Sequence, residues 1–157
     1  MSPEQFAKWC EQRGATPDAI REVIHFAADE KEMSLCAEGI IPPPIVFPLA
    51  EIVDLNAKDM FGVPGPEAGF IFTGYCPNGD PVAIDVRDQP GSVWYLSHEE
   101  SVDPSDLRAN AVKAADDIET LSQGIWDGMG PYDYYHALLP ESERLDELDK
   151  RMNDPEA

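Results

Sequence analysis

The chain has 157 residues, with 31 acidic against 11 basic side chains, a formal net charge of −20 and an apolar content of 43%. That length is most simply one domain with enough chain to bury a core, and the charge opposes both a phosphate backbone and an anionic membrane, so neither nucleic acid nor membrane is an expected partner. Such a surface attracts a cationic partner through fields that speed encounter; the plainer alternative is that the acid serves solubility.

The first 36 residues read as two helices. Ser2, Pro3 and Gln5 form a capping-box start, after which Phe6, Trp9, Cys10 and Arg13 share a face and Gly14 supplies a stop. Thr16-Pro17 repeats the start signal, and Ile20, Val23, Ile24 and Ala27 follow at helical spacing. Pro42-Pro43-Pro44 ends this region and Ile45-Val46-Phe47 opens an extended segment. Pro48 puts that strand at an edge or at its end. Leu49 to Val53 either continues it or turns into a helical bend, and Gly62 to Gly69 is a loop.

From Gly69 to Glu100 the sequence is GFIFTGYCPNGDPVAIDVRDQPGSVWYLSHEE. Phe70 to Tyr75, Val82 to Val86 and Val93 to Leu96 alternate as strands, with turns at Asn78-Gly79 and at Asp88-Gln89-Pro90-Gly91. Both connections are too short for parallel crossovers, so three antiparallel strands are predicted. From Pro104 the period returns to that of a helix, with Leu107, Ala111, Ala114, Ile118 and Leu121 on one stripe. Gly124 to Gly130 breaks it. Tyr132, Tyr134, Tyr135, Leu138 and Leu139 form an aromatic patch, read together with Trp126 as packing for a last helix over Glu141 to Met152, whose Leu145 and Leu148 point inward. The expected fold is α+β: an antiparallel sheet with helices packed on one face, as a single domain over 1–157, with a helical pair at 1–36, the sheet at 45–98 and helices at 105–152.

Three cysteines, Cys10, Cys36 and Cys76, are odd in number and lack CxxC spacing, so neither a disulfide framework nor a zinc knuckle is expected. The opening MSPEQFAKWCEQRG has no apolar signal core, and no run approaches the ~18 apolar residues of a membrane span, so the expected location is the cytoplasm. The histidines, His25, His98 and His136, lie far apart, and Asn78-Gly79-Asp80 lacks the later acids of a calcium loop; no metal or cofactor is expected. Asp85 and His98 are types that could act as a base with its orienting acid, but no activated nucleophile accompanies them. They read first as strand-end structure, and a small hydrolase using Asp85 and His98 is the remote alternative.

Charge is uneven. Residues 1–36 carry a net −3, residues 37–98 a net −6 and residues 99–157 a net −11, from sixteen acids and five bases. Glu99, Glu100, Asp103 and Asp106 begin this acidic segment at the end of the third strand, with Asp116, Asp117 and Glu119 beyond. With Asp85 and Trp94 they are the candidate protein-binding residues. A solvated loop and helix face is the alternative. An exposed edge on the third strand is also an expected route to a homodimer.

The run GFIFTGYCPNGDPVAIDV followed by DQPGSVWYLSHE resembles the core of the SUKH superfamily, which includes the yeast cell-wall assembly regulator and many bacterial immunity proteins. The resemblance rests on Phe70 to Tyr75, the Gly79-Asp80 turn, Val82 to Val86 with Asp85, and the strand after Gly91 that runs through Val93 into His98 and Glu99. It spans about 69–121, with 1–68 similar in element order. It implies a SUKH-like fold and a non-enzymatic protein that neutralises a toxin, often a nuclease, by direct binding. A basic nuclease surface and an acidic chain are complementary. The eukaryotic members suggest the alternative of an intracellular scaffold or regulatory module.

Overall fold

The computed structural model describes residues 2–27, 30–35, 44–57, 65–97, 104–127 and 130–153. Two helices open the chain, α1 (Pro3–Glu11) and α2 (Pro17–Phe26). The Gln5 N–H donates to Ser2 Oγ at 3.2 Å and the Ser2 N–H to Gln5 Oε1 at 2.9 Å, the reciprocal cap that the sequence predicts. Thr16 caps α2 through Oγ1, which accepts from the Ala19 N–H at 3.2 Å. A short strand, β1 (Met33–Ser34), follows inside the region expected to be wholly helical; two residues are too few for an alternation to register in the sequence. β2 (Ile45–Val46) stops before Pro48, and the chain turns into α3 (Leu49–Ala57), the helical of the two readings for that segment.

After a 3-10 turn at Pro66–Ala68, β3 (Phe70–Tyr75), β4 (Pro81–Asp85) and β5 (Val93–Tyr95) make the predicted meander. The predicted single helix through Leu107 and Leu121 is overturned. Three elements stand there instead: α4 (Pro104–Asn110), β6 (Val112–Ala115) and α5 (Ile118–Trp126). Val112 and Lys113 pair with Tyr95 and Trp94, and the Asp117 carboxylate starts a new helix by accepting the Thr120 N–H at 2.7 Å. Tertiary pairing and an N-cap override the local period. The chain closes with α6 (Tyr134–Leu138) and α7 (Glu141–Asn153).

The strands run β1-β2-β3-β4-β5-β6 with every neighbour antiparallel, so the class is α+β. The third predicted strand, β5, is not an edge, because β6 pairs along its outer side. The sheet is also covered on both faces rather than one. Ile71, Val82, Ile84, Val93 and Tyr95 meet the apolar stripes of α1 and α2, including Phe6, Cys10, Ile20 and Val23, in the main core. The alternate residues Phe70, Phe72, Ala83 and Leu96 form a second cluster with Ala68 and with Leu107 of α4. The reason lies in β3 and β4, which are apolar at nearly every position and so need burial on both sides.

Two side-chain details fix the sheet margin near β2. A Cβ at Gly74 would strike the Ile45 carbonyl, so glycine is what lets β2 lie against β3 there. Past Val46, where β2 ends, Asn56 of α3 takes the place of a strand. Its Oδ1 accepts the Phe72 N–H at 2.8 Å, and its Nδ2 donates to the Phe72 carbonyl at 2.9 Å and to the Ile52 carbonyl at 2.7 Å.

Candidate protein-binding surface

Asp85 ends β4 opposite Phe70, with no exposed surface. Its Oδ1 accepts the N–H groups of Arg87 at 2.9 Å and Asp88 at 3.2 Å, and its Oδ2 that of Gln89 at 3.0 Å. These bonds wind the turn that Gly91, at φ 91°, completes. Arg108 of α4 closes the arrangement. Its Nη2 donates to Asp85 Oδ1 at 2.9 Å and its Nη1 to Oδ2 at 3.3 Å. Nη1 also lies 2.9 Å from Asp88 Oδ2, Nε donates to the Ala68 carbonyl at 2.8 Å, and the guanidinium sits 4.3 Å above the Phe70 ring. Burial pushes the Asp85 carboxyl up, but the Arg108 hydrogen bonds, the Arg87 and Gln89 N–H groups and the Arg108 charge outweigh it and hold the group below its ordinary value.

Asp85 is therefore a buried clamp, which corrects its expected place on a contact surface: its carboxylate is spent on the turn and on α4. The hydrolase alternative needs the same carboxylate to orient His98, which lies outside the described residues, and the carboxylate's bonds go to Arg87, Asp88, Gln89 and Arg108. Arg108, the residue that completes the clamp, lies 23 positions from Asp85 and stands in no sequence motif. Its one signal in the sequence is a base directly after Leu107 in a segment otherwise dominated by acid.

Gly79 has φ 93°, the Asp80 N–H donates to Asn78 Oδ1 at 3.1 Å, and Asp80 is buried. His98, Glu99, Glu100 and Asp103 lie outside the described residues. Asp106 is half-buried on α4. Trp94 is half-buried too, its ring 6.0 Å from that of Phe70 and its Nε1–H donating to Ser92 Oγ at 2.7 Å; it belongs to the second cluster.

What the structure adds lies further along the acidic segment. Over 104–153 the sequence has eleven acids and five bases. On the same stretch stand Trp126 at 64% exposure, Tyr135 at 57%, Leu138 at 56% and Leu145 at 44%, four of the five large exposed apolar residues among those described. The expected aromatic packing thus divides. Tyr132 and Tyr134 are buried, whereas Trp126 and Tyr135 face out, and Leu145 does not point inward as predicted. Tyr134 and Tyr135 are consecutive in α6 and so do not share a face of the helix.

A buried histidine holds α7 in place. The Tyr132 N–H donates to His136 Nδ1 at 3.3 Å, Nε2 lies 2.9 Å from the Arg144 carbonyl, and the two rings stack at 3.9 Å. With Nδ1 accepting, the imidazole is neutral and Nε2–H is the donor. Burial pushes its pKa down, against the opposing pull of the Arg144 carbonyl and Asp133. Asp133 Oδ1 accepts the His136 N–H at 2.7 Å, and its Oδ2 is 3.6 Å from Arg151 of α7.

Among the described residues the two cysteines, Cys10 and Cys76, are both buried, and Cys36 lies outside the described residues. Burial raises Cys10 to about 12 and Cys76 well above its ordinary value, so both stay protonated and poorly nucleophilic at neutral pH. Among the described residues no group of three or more His, Cys, Asp or Glu is placed to hold a metal ion, and no helix is long and apolar enough to cross a membrane. In comparisons with known proteins, no family model, no curated protein and no solved structure matches the chain.

Proposed function

We propose that this chain is a non-enzymatic binding protein that engages a cationic protein partner, in the manner of the immunity proteins that the SUKH resemblance brings in: it neutralises a toxin domain, a nuclease being the best electrostatic match, by direct contact. The observation that carries the reading is the coincidence of exposed Trp126, Tyr135 and Leu138 with the most acidic third of the sequence. Acid steers a basic partner in, and exposed aromatic and aliphatic side chains supply the anchors that hold it. The burial of Asp85 in a clamp and the raised thiols of Cys10 and Cys76 leave these three residues unsuited to nucleophilic chemistry, which supports a binding role.

The test is capture from the source cell by the tagged full chain, followed by co-expression of the captured protein with and without the chain. The reading expects a basic protein that elutes with rising salt and whose toxicity the chain relieves. A captured protein that is acidic, or a basic one whose effect on growth is unchanged by co-expression, contradicts it.

A further inference from the structure

We infer that the outer side of β6 is a strand-acceptor edge, and that it takes an extended, lysine- or arginine-bearing segment of the partner as a seventh strand. This rests on the proposed binding of a cationic partner and names where one part of that partner sits. β6 terminates the sheet, and among the described residues no strand pairs with its far side. All four of its residues are half-exposed. An open groove of about 410 Å³ runs beside it, bounded by Lys113 to Asp116, by Thr120, Leu121 and Gly124 of α5, and by Glu141 and Arg144 of α7. Gly124 and Gly130 touch backbone to backbone, where any Cβ on Gly130 would collide with Gly124, so the wall there stays low.

Charge selects the occupant. The four charged residues of the lining balance in sign, Lys113 and Arg144 against Asp116 and Glu141. Lys113 Nζ lies 2.6 Å from Asp116 and 2.8 Å from Gln89 Oε1, and Arg144 donates to the carbonyls of Leu139 and Ala137. The negative sign comes from the elements around it: residues 112–126 and 141–153 carry eight acids against four bases, Asp117 and Glu119 just past the strand among them. A second copy of the chain is the wrong occupant, because pairing two β6 edges would bring these acids of both copies together. The pairing of β6 with β5 also skips a residue at Ala114, opposite the Val93–Trp94 step. A bulge with a neighbouring lysine is a device that blunts an edge against uncontrolled pairing. A heterologous basic strand answers the charge, and main-chain bonding to a free edge with side chains reading the flanks is an established mode of recognition.

The test uses the full chain, isotope-labelled, and a short capped peptide of alternating Lys and Val, with two controls: an alternating Glu-Val peptide and a Lys-Leu-Ala peptide of helical period. The expected result is that the Lys-Val peptide alone shifts and protects the amides of Val112 to Asp116, together with shifts at Thr120, Leu121 and Glu141. Ala114→Pro, checked for retained fold by its amide spectrum, lowers affinity about tenfold or more, and Glu141→Lys with Glu119→Lys removes the salt dependence. If Ala114→Pro does not fold, the amide protection in the unaltered chain decides. Equal binding of the helical peptide, or binding with unmoved β6 amides, overturns the assignment; so does no binding. A natural cationic partner that binds in a salt-dependent way without touching β6 overturns this inference and leaves the proposed function standing. The absence of any cationic partner removes both.

Discussion

Asp85 and Arg108 show how one pair of residues decides the geometry of three segments. The carboxylate has no exposed surface and every acceptor site is filled, so removing its cation leaves a buried charge with backbone donors alone. Arg108→Met should cost about 3 kcal/mol, the usual penalty for breaking a buried ion pair from one side, read by urea unfolding; a loss under about 1 kcal/mol would mean that the clamp is ornamental. The pH dependence follows from the lowered carboxyl. A group with a folded pKa below its unfolded one adds stability above the unfolded value and loses it as pH falls through the folded value. The acid limb of the stability curve should therefore flatten in Asp85→Asn relative to the unaltered chain. Asn56 is the second such residue. Asn56→Ala removes the side-chain partner of the buried Phe72 N–H and carbonyl, and should cost about 2 kcal/mol; an unchanged urea midpoint contradicts that role. Neither Arg108 nor Asn56 was legible in the sequence, because each acts on a residue sixteen or more positions away. The capping box at Ser2 and the turn at Gly79 were legible, because their partners are within three residues.

Elements obey the same division. The hairpins joining β3, β4 and β5 could be read from turn chemistry and alternation, which are local. β6 could not, because Val112 to Ala115 falls on a stripe whose spacing fits a helix equally well, and only the pairing with β5 decides. Among the described residues that pairing makes β6 rather than β5 the last strand of the sheet and sets it beside α5 and α7. Among the residues of helix α7 whose burial is described none is fully buried, and its docking leans on His136. Protonating His136 turns Nδ1 into a donor facing the Tyr132 N–H. A base whose folded pKa is depressed leaves stability intact above its unfolded value, near 6.5, and loses it as pH falls from there toward the folded one. Below about pH 6 the amides of α7 should exchange faster than those of β3 and β4, with Asp133, Glu147, Arg144 and Arg151 as the charges facing the imidazole. In His136→Gln the pH step should vanish. Exchange in α7 that stays constant from neutral pH down to pH ~5 contradicts this account of the docking.

At the scale of the whole molecule the sequence carries more of the argument than the fold does. The net charge of −20 and its concentration after residue 98 are plain in the sequence, while the exposure of Trp126, Tyr135 and Leu138 is not, since the same residues read equally well as core. Together they are the support for the proposal that a basic partner lands on the C-terminal third. Charges at the rim of such a contact act mainly on the rate of association, and aromatic anchors on the rate of release. The most direct measurement is the association rate of the captured basic partner with the full chain across a series of salt concentrations, compared with a variant carrying Glu119→Lys, Glu141→Lys, Asp146→Lys and Asp149→Lys. The account predicts a rate that falls steeply with salt for the unaltered chain and is about tenfold or more lower, with little salt dependence, for the variant. Equal rates and equal salt slopes for the two would contradict it.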